Sequence, residues 1–566
     1  MATIRKSVSR GHVYWQIVES RRVNGKPRPI VLMHLGTAET LLKRLQESPE
    51  RPVKAKSISF GAEAALWNIA EELDVVGTID RHVPKRDQGL SCGQYILLAT
   101  VNRCVRATSK ASLYDWYKKT VLSRLLPTSK KSLSSQRFWD HMSYFDEEKI
   151  TAIEEEFAGR LVHDFGIDLK TLLFDATNFD TFIDTQTLSE IARRGRAKSK
   201  RSDLRVIGLA LLVSTDFNVP LFSHIYPGNQ NDSTMFGTVT EALAERYRRL
   251  ASDCDEITLV FDGGNTSKEN MKKIDRTEYH FITSLTVTHH EDLLAVPNSR
   301  FETFDEEQLE GTSAYRTTKE VWGKERTVVV TLSQNLLNGQ IAGIEHSLRK
   351  KRAELRTLRA KVRRSQQPGA RGKGYTAGSL KKRLEKITKK QYISEILKTE
   401  IVQSVDRLDF TFRMDHRAYH RLKCTRLGKR ILCTDNSDWT TREIILGSRA
   451  QFHVENAFKQ MKDPYWVKFC PSFHWTNQKL RVHVFYCVLA LTLSSLLQRK
   501  AAHAGIDLSI PRLFEELTEM REIINLYAPA SSSGQGRYRA EYHLEDPSPL
   551  QKKLLNVFDL QSLSRA

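Results

Sequence analysis

The chain has 566 residues, 40% of them hydrophobic, enough for a large core and, at roughly 100–200 residues per domain, for about three or four folding units. That excludes a disordered chain and a disulfide-stapled miniprotein. Lys and Arg number 88 against 67 Asp and Glu, giving +21, which favours a polyanionic partner such as nucleic acid over a merely basic enzyme. The seven cysteines are scattered, none in a C-x-x-C pair, so they read as reduced core residues of a cytoplasmic protein rather than zinc ligands or disulfides. The first residues, MATIRKSVSRGHVYWQ, lack the apolar run of a signal peptide. The longest uncharged apolar stretch, Val484 to Leu497, is shorter than the roughly 18–20 residues of a membrane span and predicts a buried helix, so no membrane partner is expected.

Residues 10–35 alternate polar and apolar around a turn at Val23-Asn24-Gly25-Lys26, which predicts a small β-hairpin module within 1–50. From 51 to 165 the spacing turns helical, in segments such as Phe60–Leu73, Gly93–Val105 and Glu147–Phe165, and a helical N-terminal DNA-binding domain is expected. The texture then changes. Leu169 to Asp175 is a short apolar run ending in a carboxylate, and Leu204–Val213 and Val219–Tyr226 follow with Asp216-Phe217-Asn218 as the turn between them. These predict a three-stranded meander. A helix (Thr234–Leu250), a buried strand from Glu256 to Phe261 that ends at Asp262, a helix (Lys268–Arg276) and a strand (His280–Thr286) complete an α/β order with a mixed sheet over 166–289.

Residues 290–440 break that rhythm. The ends of this stretch look β-rich, and its middle is a long helical pair joined near Pro368-Gly369. Ile344, Leu348, Leu355, Leu358 and Val362 form an approximate heptad stripe, answered by Leu380, Leu384 and Ile387. Residues 349–390 hold 17 Lys or Arg and two acids, so this hairpin carries +15 of the chain's +21. Charge so concentrated favours contact with a DNA backbone over a solvated helix face, with Arg363, Arg364, Lys381, Lys382 and Arg383 as candidates. The pattern is helical again over 441–500, and 501–566 reads as a mixed tail with a flexible Ser531-Ser532-Ser533-Gly534 stretch.

Two strands end alike, in Leu172-Leu173-Phe174-Asp175 and Leu259-Val260-Phe261-Asp262. Sites in open α/β sheets form where strands end, so the two carboxylates can meet in one crevice; each could instead cap the turn that follows it. A third carboxylate, Glu455, shares one helix face with Lys459 and Lys462, at i, i+4 and i+7, where a plain surface ion pair is the alternative. Phe452 and Phe458 are positioned to anchor that helix to a sheet. Trp322, Trp439 and Trp475 are candidates to stack on an unpaired base, core packing being the commoner role of a Trp.

In this order the motifs resemble bacterial insertion-sequence transposases of the DDE class, in the large insertion-sequence-four type. Val454-Glu455-x-x-Phe458-x-x-x-Lys462 carries the resemblance furthest, followed by His474-Trp475-Thr476-Asn477-Gln478-Lys479 and Arg481-Val482-His483. Asp175-Ala176-Thr177-Asn178 resembles the family's first-Asp motif and Asp262-Gly263-Gly264 the second. Arg194-Gly195-Arg196-Ala197-Lys198 and Gly228-Asn229-Gln230-Asn231-Asp232 resemble segments found between them, which brings Arg194 and Lys198 forward as DNA contacts.

The resemblance implies an α/β, ribonuclease-H-like catalytic core in two parts, 166–289 and 441–500, interrupted by a β-rich insertion, which accounts for the 193-residue separation of Asp262 from Glu455. It implies a transposase that cuts the ends of its own insertion sequence and joins them to target DNA, with a homodimer on paired ends, in the bacterial cytoplasm at the nucleoid. The competing readings are an endonuclease of the same fold that never joins strands, and a non-catalytic DNA-binding protein derived from a transposase. Asp175, Asp262 and Glu455 are the expected metal ligands, for two Mg²⁺ ions with Mn²⁺ able to substitute, and Lys462 is expected to hold a phosphate. The family's Tyr and Arg positions before the Glu are occupied here by Ser448 and Gln451, and Arg449 is the candidate substitute. That departure bears on hairpin-ended excision and leaves the metal chemistry untouched.

Overall fold

The computed structural model describes residues 2–9, 11–23, 26–46, 51–86, 88–184, 186–195, 200–250, 257–370, 374–404, 407–528 and 538–564. The N-terminal module is a three-stranded antiparallel sheet of β1 (Ala2–Ser9), β2 (His12–Val23) and β3 (Lys26–Gly36). Val23 pairs with Lys26, so the turn predicted there is a two-residue connection whose Asn24 and Gly25 lie outside the described residues. β1 is an addition to the sequence reading, because its basic Arg5 and Lys6 interrupt the apolar alternation. After β4 (Lys54–Ser59) come the helices Gly61–Glu72, Val75–His82, Cys92–Val105, Ser135–Met142 and Glu147–His163. Ser91 and Gln94 close a capping box at the start of Cys92–Val105, and the Asp146 side chain accepts from the Lys149 N–H at the start of Glu147–His163.

The main sheet begins with β5 (Thr171–Thr181), β6 (Arg205–Ser214) and β7 (Pro220–Pro227), an antiparallel meander, followed by β8 (Thr258–Phe261) and β9 (His280–Leu285), which run parallel to β5. Nine residues, Val206 to Ser214, are buried in succession on β6, so both faces of this strand are covered. β5 differs from the sequence reading. The strand does not end at Asp175 but continues to Thr181, because β6 pairs with it along its whole length while β8 stops opposite Phe174.

The 290–440 stretch divides. Strands β10 (Glu302–Thr303), β11 (Thr312–Val321) and β12 (Lys324–Ser333) do not build a sheet of their own. A module from 334 to 427 then leaves the sheet with its own hydrophobic core, and β15 (Lys429–Thr434) returns to it. The module holds the helices Gln334–Arg364 and Ala377–Thr388 and the hairpin of β13 (Leu397–Ser404) and β14 (Arg407–Met414). The result is one nine-stranded mixed sheet in the order β10-β11-β12-β15-β9-β8-β5-β6-β7. The stripe Ile344, Leu348, Leu355, Leu358 and Val362 is buried, but against Phe410 of β14 and Leu397 of β13 as well as Leu380 and Leu384, so the helical pair is packed on a β-hairpin rather than free-standing.

The C-terminal residues are part of the N-terminal helical layer. The helix Ile510–Glu519 packs on Gly61–Glu72, and β16 (Arg521–Tyr527) pairs with β4 on one side and β17 (Arg539–Leu544) on the other. Ser531 to Gly534 lie outside the described residues. Between this layer and the sheet runs the helix Asn477–His503. It is long and apolar enough to cross a membrane, and 94% of its apolar window is buried inside the molecule. Cys92, Cys104, Cys433 and Cys487 are buried thiols, Cys470 is half-buried and Cys424 exposed, while Cys254 lies outside the described residues.

Candidate active site

Parallel pairing sets the first two carboxylates. Phe174 of β5 stands opposite Phe261 of β8, so the next residue on each strand, Asp175 and Asp262, occupies the following register position on neighbouring strands. Asp175 is half-buried, and Asp262, where β8 gives way to a tight turn, is exposed. The turn is held from both sides. Asp262 Oδ1 accepts the Gly263 N–H at 2.8 Å, and that N–H is also 3.2 Å from Ser284 Oγ on β9, which donates to Asp262 Oδ1 at 3.4 Å. Only glycine fits at 263, since a Cβ there would stand 2.4 Å from the Ser284 carbonyl oxygen.

The third carboxylate comes from the helix Phe452–Met461. This helix lies on β5 and β6 through buried Val454, Ala457, Phe458 and Met461, leaving Glu455 and Lys459 exposed along its other side. Phe458 anchors it as expected. Phe452 does not: its ring is 52% exposed and stacks on His453. At the far end Lys462 reaches across to the sheet, where its ammonium donates to Thr177 Oγ1 at 2.7 Å and sits 5.1 Å from the Phe179 ring. Asp175, Thr177 and Phe179 point to one face of β5, so the helix runs along the strand face that carries the first Asp. No ion pair joins Glu455 to Lys459 or Lys462 among the described residues.

Asp175, Asp262 and Glu455 line one cavity of about 700 Å³, with Ser448, Arg449, Gln451 and residues of β9 and β15 as its other walls. Among the described residues, no three His, Cys, Asp or Glu side chains stand close enough to hold one metal ion between them. The donors gathered are all carboxylate oxygens, the chemistry a hard divalent cation selects. A second cavity of about 700 Å³, walled by Glu307, Thr312, Thr331, Gln334 and Ile445, adjoins the first and shares Arg430, Leu432, Ser448 and Arg449 with it.

The basic candidates differ in their surroundings. Arg449 donates to the Gln308 carbonyl and to Thr312 Oγ1, which ties its guanidinium to the wall between the cavities. Arg363, with Arg359, is paired to Asp409; burial would raise that carboxyl, but the two guanidiniums hold it well below the usual range. Arg383 donates to Tyr375, whereas Arg364, Lys381 and Lys382 project from the module as exposed cations. Arg194 is exposed, and Lys198 lies outside the described residues. Of the two inter-Asp motifs, Gly195 and Gly228 lie against each other at the end of the sheet towards which β5 runs, so closely that a Cβ on Gly195 would stand 2.0 Å from the Gly228 carbonyl oxygen.

The His474–Lys479 motif joins the sheet to the helical layer. Asn477 Oδ1 accepts from Ser189 Oγ at 2.8 Å, Gln478 donates to the Phe145 carbonyl at 2.6 Å, and Lys479 donates to Ser143 Oγ at 2.7 Å. His474 Nε2 is 2.8 Å from the ammonium of Lys110, which also lies 4.6 Å from the Trp139 ring. Burial, then the neighbouring Arg103 charge, pushes Lys110 down to about 7, and burial also depresses His474. The neutral imidazole can then accept a hydrogen bond from Lys110. Trp322 packs on Phe281 and Trp439 on Gly447, both half-buried against the core, while Trp475 is 62% exposed. Arg430 escaped the sequence reading: inside a short strand it reads as an ordinary outward polar residue, and only pairing with β9 and β12 brings it to the cavity wall.

No curated protein matches the chain. A solved structure, the "Cryo-EM structure of piggyBac transposase synaptic complex with hairpin DNA (SNHP)", is similar at 9% identity over 80% of this chain and 79% of that one, with a TM-score of 0.36. The model of the IS1634 family transposase N-terminal domain matches residues 3–62. The transposase DDE domain model matches residues 168–492, a span that starts before β5 and ends within the helix after the glutamate helix, taking in both Asp strands and Glu455. With more than half its length matched, this chain belongs to the transposase DDE domain family.

Proposed function

We propose that the chain cuts both ends of its own insertion sequence and joins them to target DNA, with Asp175, Asp262 and Glu455 as the ligands of divalent metal and a ribonuclease-H-like core to hold them. The observation that carries this reading is that the three acids line a single cavity, one on β5, one just past the end of the parallel neighbour β8, and one from a helix 193 residues further on. The three-stranded meander followed by two parallel strands supports the choice of core. The insertion-sequence-four type rests on the motifs around Glu455, and the exposed Lys and Arg of the 334–427 module support a DNA-backbone contact there. A homodimer on paired ends follows from the need to act on two ends together.

Three carboxylates lining one cavity present oxygen donors of the kind a hard divalent cation would take up. When bound, two Mg²⁺ or Mn²⁺ ions supply the deprotonated nucleophile and neutralise charge on the leaving oxygen. The chain's own contribution is placement. Ser284 and the Gly263 N–H fix the rotamer of Asp262, and the buried face of the glutamate helix fixes the height of Glu455 above β5. Lys462, directed to the same strand face two residues beyond Asp175, is placed to meet a phosphate as a point charge. The first strand cut leaves a 3′-hydroxyl, and the same site is reused when that hydroxyl attacks target DNA.

The test is a supercoiled plasmid carrying the coding sequence with its natural flanks, incubated with the full chain or with Asp262→Asn, in Mg²⁺ or EDTA. Metal-dependent cuts at the two flank boundaries, absent from the variant, are expected. Metal-dependent cuts unrelated to the flanks favour the endonuclease, and binding without cutting favours the non-catalytic protein.

A further inference from the structure

A cavity lined by three carboxylates receives a DNA strand only if a cation holds the strand's phosphate against that negative charge. Three cationic residues line it: Lys429, Arg430 and Arg449. Lys429 is buried with its ammonium turned away, donating to the Leu294 carbonyl at 3.0 Å and lying 5.1 Å from the Phe301 ring. Arg449 is partly spent on Gln308 and Thr312. Arg430 is exposed on β15, opposite Thr331 in the β12 pairing, and its side chain makes no ion pair or hydrogen bond among the described residues. It lines the second cavity as well, so it stands with Arg449 where the two join.

Two guanidiniums lining the same stretch of cavity wall repel each other unless an anion joins them. Arg449 registers the closeness, its pKa being lowered by burial and then by the charge of Arg430. Gln451, just before the glutamate helix, lines the same cavity and brings no charge. We propose that Arg430, with Arg449 beside it, is the seat for a backbone phosphate of the DNA strand that passes from the carboxylates into the adjoining cavity. Arg430 thereby supplies from β15 the guanidinium that the glutamate helix lacks. This rests on the transposase reading and adds to it a strand path and the residue that fixes it. A planar guanidinium can grip two phosphate oxygens at once, which a lysine cannot.

The experiment uses the full chain with Arg430→Ala and Arg430→Lys, and a fluorescent duplex spanning one flank boundary of the element. Anisotropy in Ca²⁺ across a salt series reads binding without cleavage, and the flanked plasmid in Mg²⁺ reads cutting. Loss of one phosphate contact is expected to reduce the slope of log affinity against log salt by about 1 in Arg430→Ala. Cutting by Arg430→Ala should fall roughly tenfold to a hundredfold, as for loss of a charge-assisted hydrogen bond, with Arg430→Lys between it and the wild type. Melting should be unchanged, since the side chain is exposed. A salt slope in Arg430→Ala equal to that of the wild type overturns the assignment, whatever the cutting does. If the wild-type chain makes no cut at the flank boundaries, the transposase reading falls, and the salt slope still decides whether Arg430 seats a phosphate.

Discussion

Replacing Gly263 by Ala leaves all three carboxylates in place and still disturbs their geometry. The added Cβ would lie 2.4 Å from the Ser284 carbonyl oxygen and 2.9 Å from its Oγ. Ser284 cannot yield freely, because β9 is paired with β8 on one side and, through Ser284 opposite Leu432, with β15 on the other. Clearing the overlap therefore moves the 262–263 turn by on the order of 1 Å, a displacement that costs about a hundredfold in rate when it carries a reacting group. Overpacking of this kind also destabilises a fold by roughly 1–3 kcal/mol. Gly264→Ala is the matched control, since a Cβ there meets nothing nearer than Asp262 Oδ2 at 3.9 Å. The assay is the rate of flank-boundary cutting by each variant beside its thermal melt. Gly263→Ala should cut about a hundredfold more slowly and melt lower, and Gly264→Ala should do neither. If Gly263→Ala cuts and melts like the wild type, the Ser284 contact does not position Asp262, and the account of the turn is wrong.

Phe458→Ala removes a side chain that is 4% exposed and seats the glutamate helix on the sheet; about 3–5 kcal/mol of stability should be lost, read from denaturant unfolding, with cutting impaired at temperatures where the chain is still folded. Lys110 carries a pH signature. Its folded pKa is lowered to about 7 from an ordinary 10.5, so between those values the unfolded chain holds a proton that the folded chain has released, and stability rises with pH. Compared with Lys110→Met, the wild type should therefore gain stability from about pH 7 to about pH 10.5, and melting-point differences that stay flat over that range contradict a buried neutral lysine. The triple change of Lys381, Lys382 and Arg383 to Ala should flatten the salt dependence of DNA binding by up to about 3 in slope, while an unchanged slope returns this surface to solvent.

Periodicity carries much of this fold and pairing carries the rest. The meander, the alternating strands and helices after it and the buried apolar helix are legible because each has a local pattern. That β5 outruns Asp175 is not legible, because the partner that prolongs it, β6, lies beyond a stretch of loop. Nor is the union of β4 with β16, whose residues are separated by more than 450 positions, or the absorption of β11, β12 and β15 into the main sheet. The three acids are expected together from local motifs and strand ends alone, whereas the groups beside them are not. Arg430, Ser284 and the Lys110–His474 contact are assembled by tertiary structure from residues that look ordinary in their own segments.

The central proposal is that Asp175, Asp262 and Glu455 belong to one divalent-metal site. Loading the full chain with Fe²⁺ in place of Mg²⁺, then adding ascorbate and peroxide, generates hydroxyl radicals at the bound ion that cut the nearby backbone, and mass spectrometry locates the breaks. Breaks around residues 175, 262 and 455 together, all suppressed by excess Mg²⁺, are predicted. Mg²⁺-suppressible breaks that spare any one of the three positions, or that fall elsewhere in the chain, would contradict it.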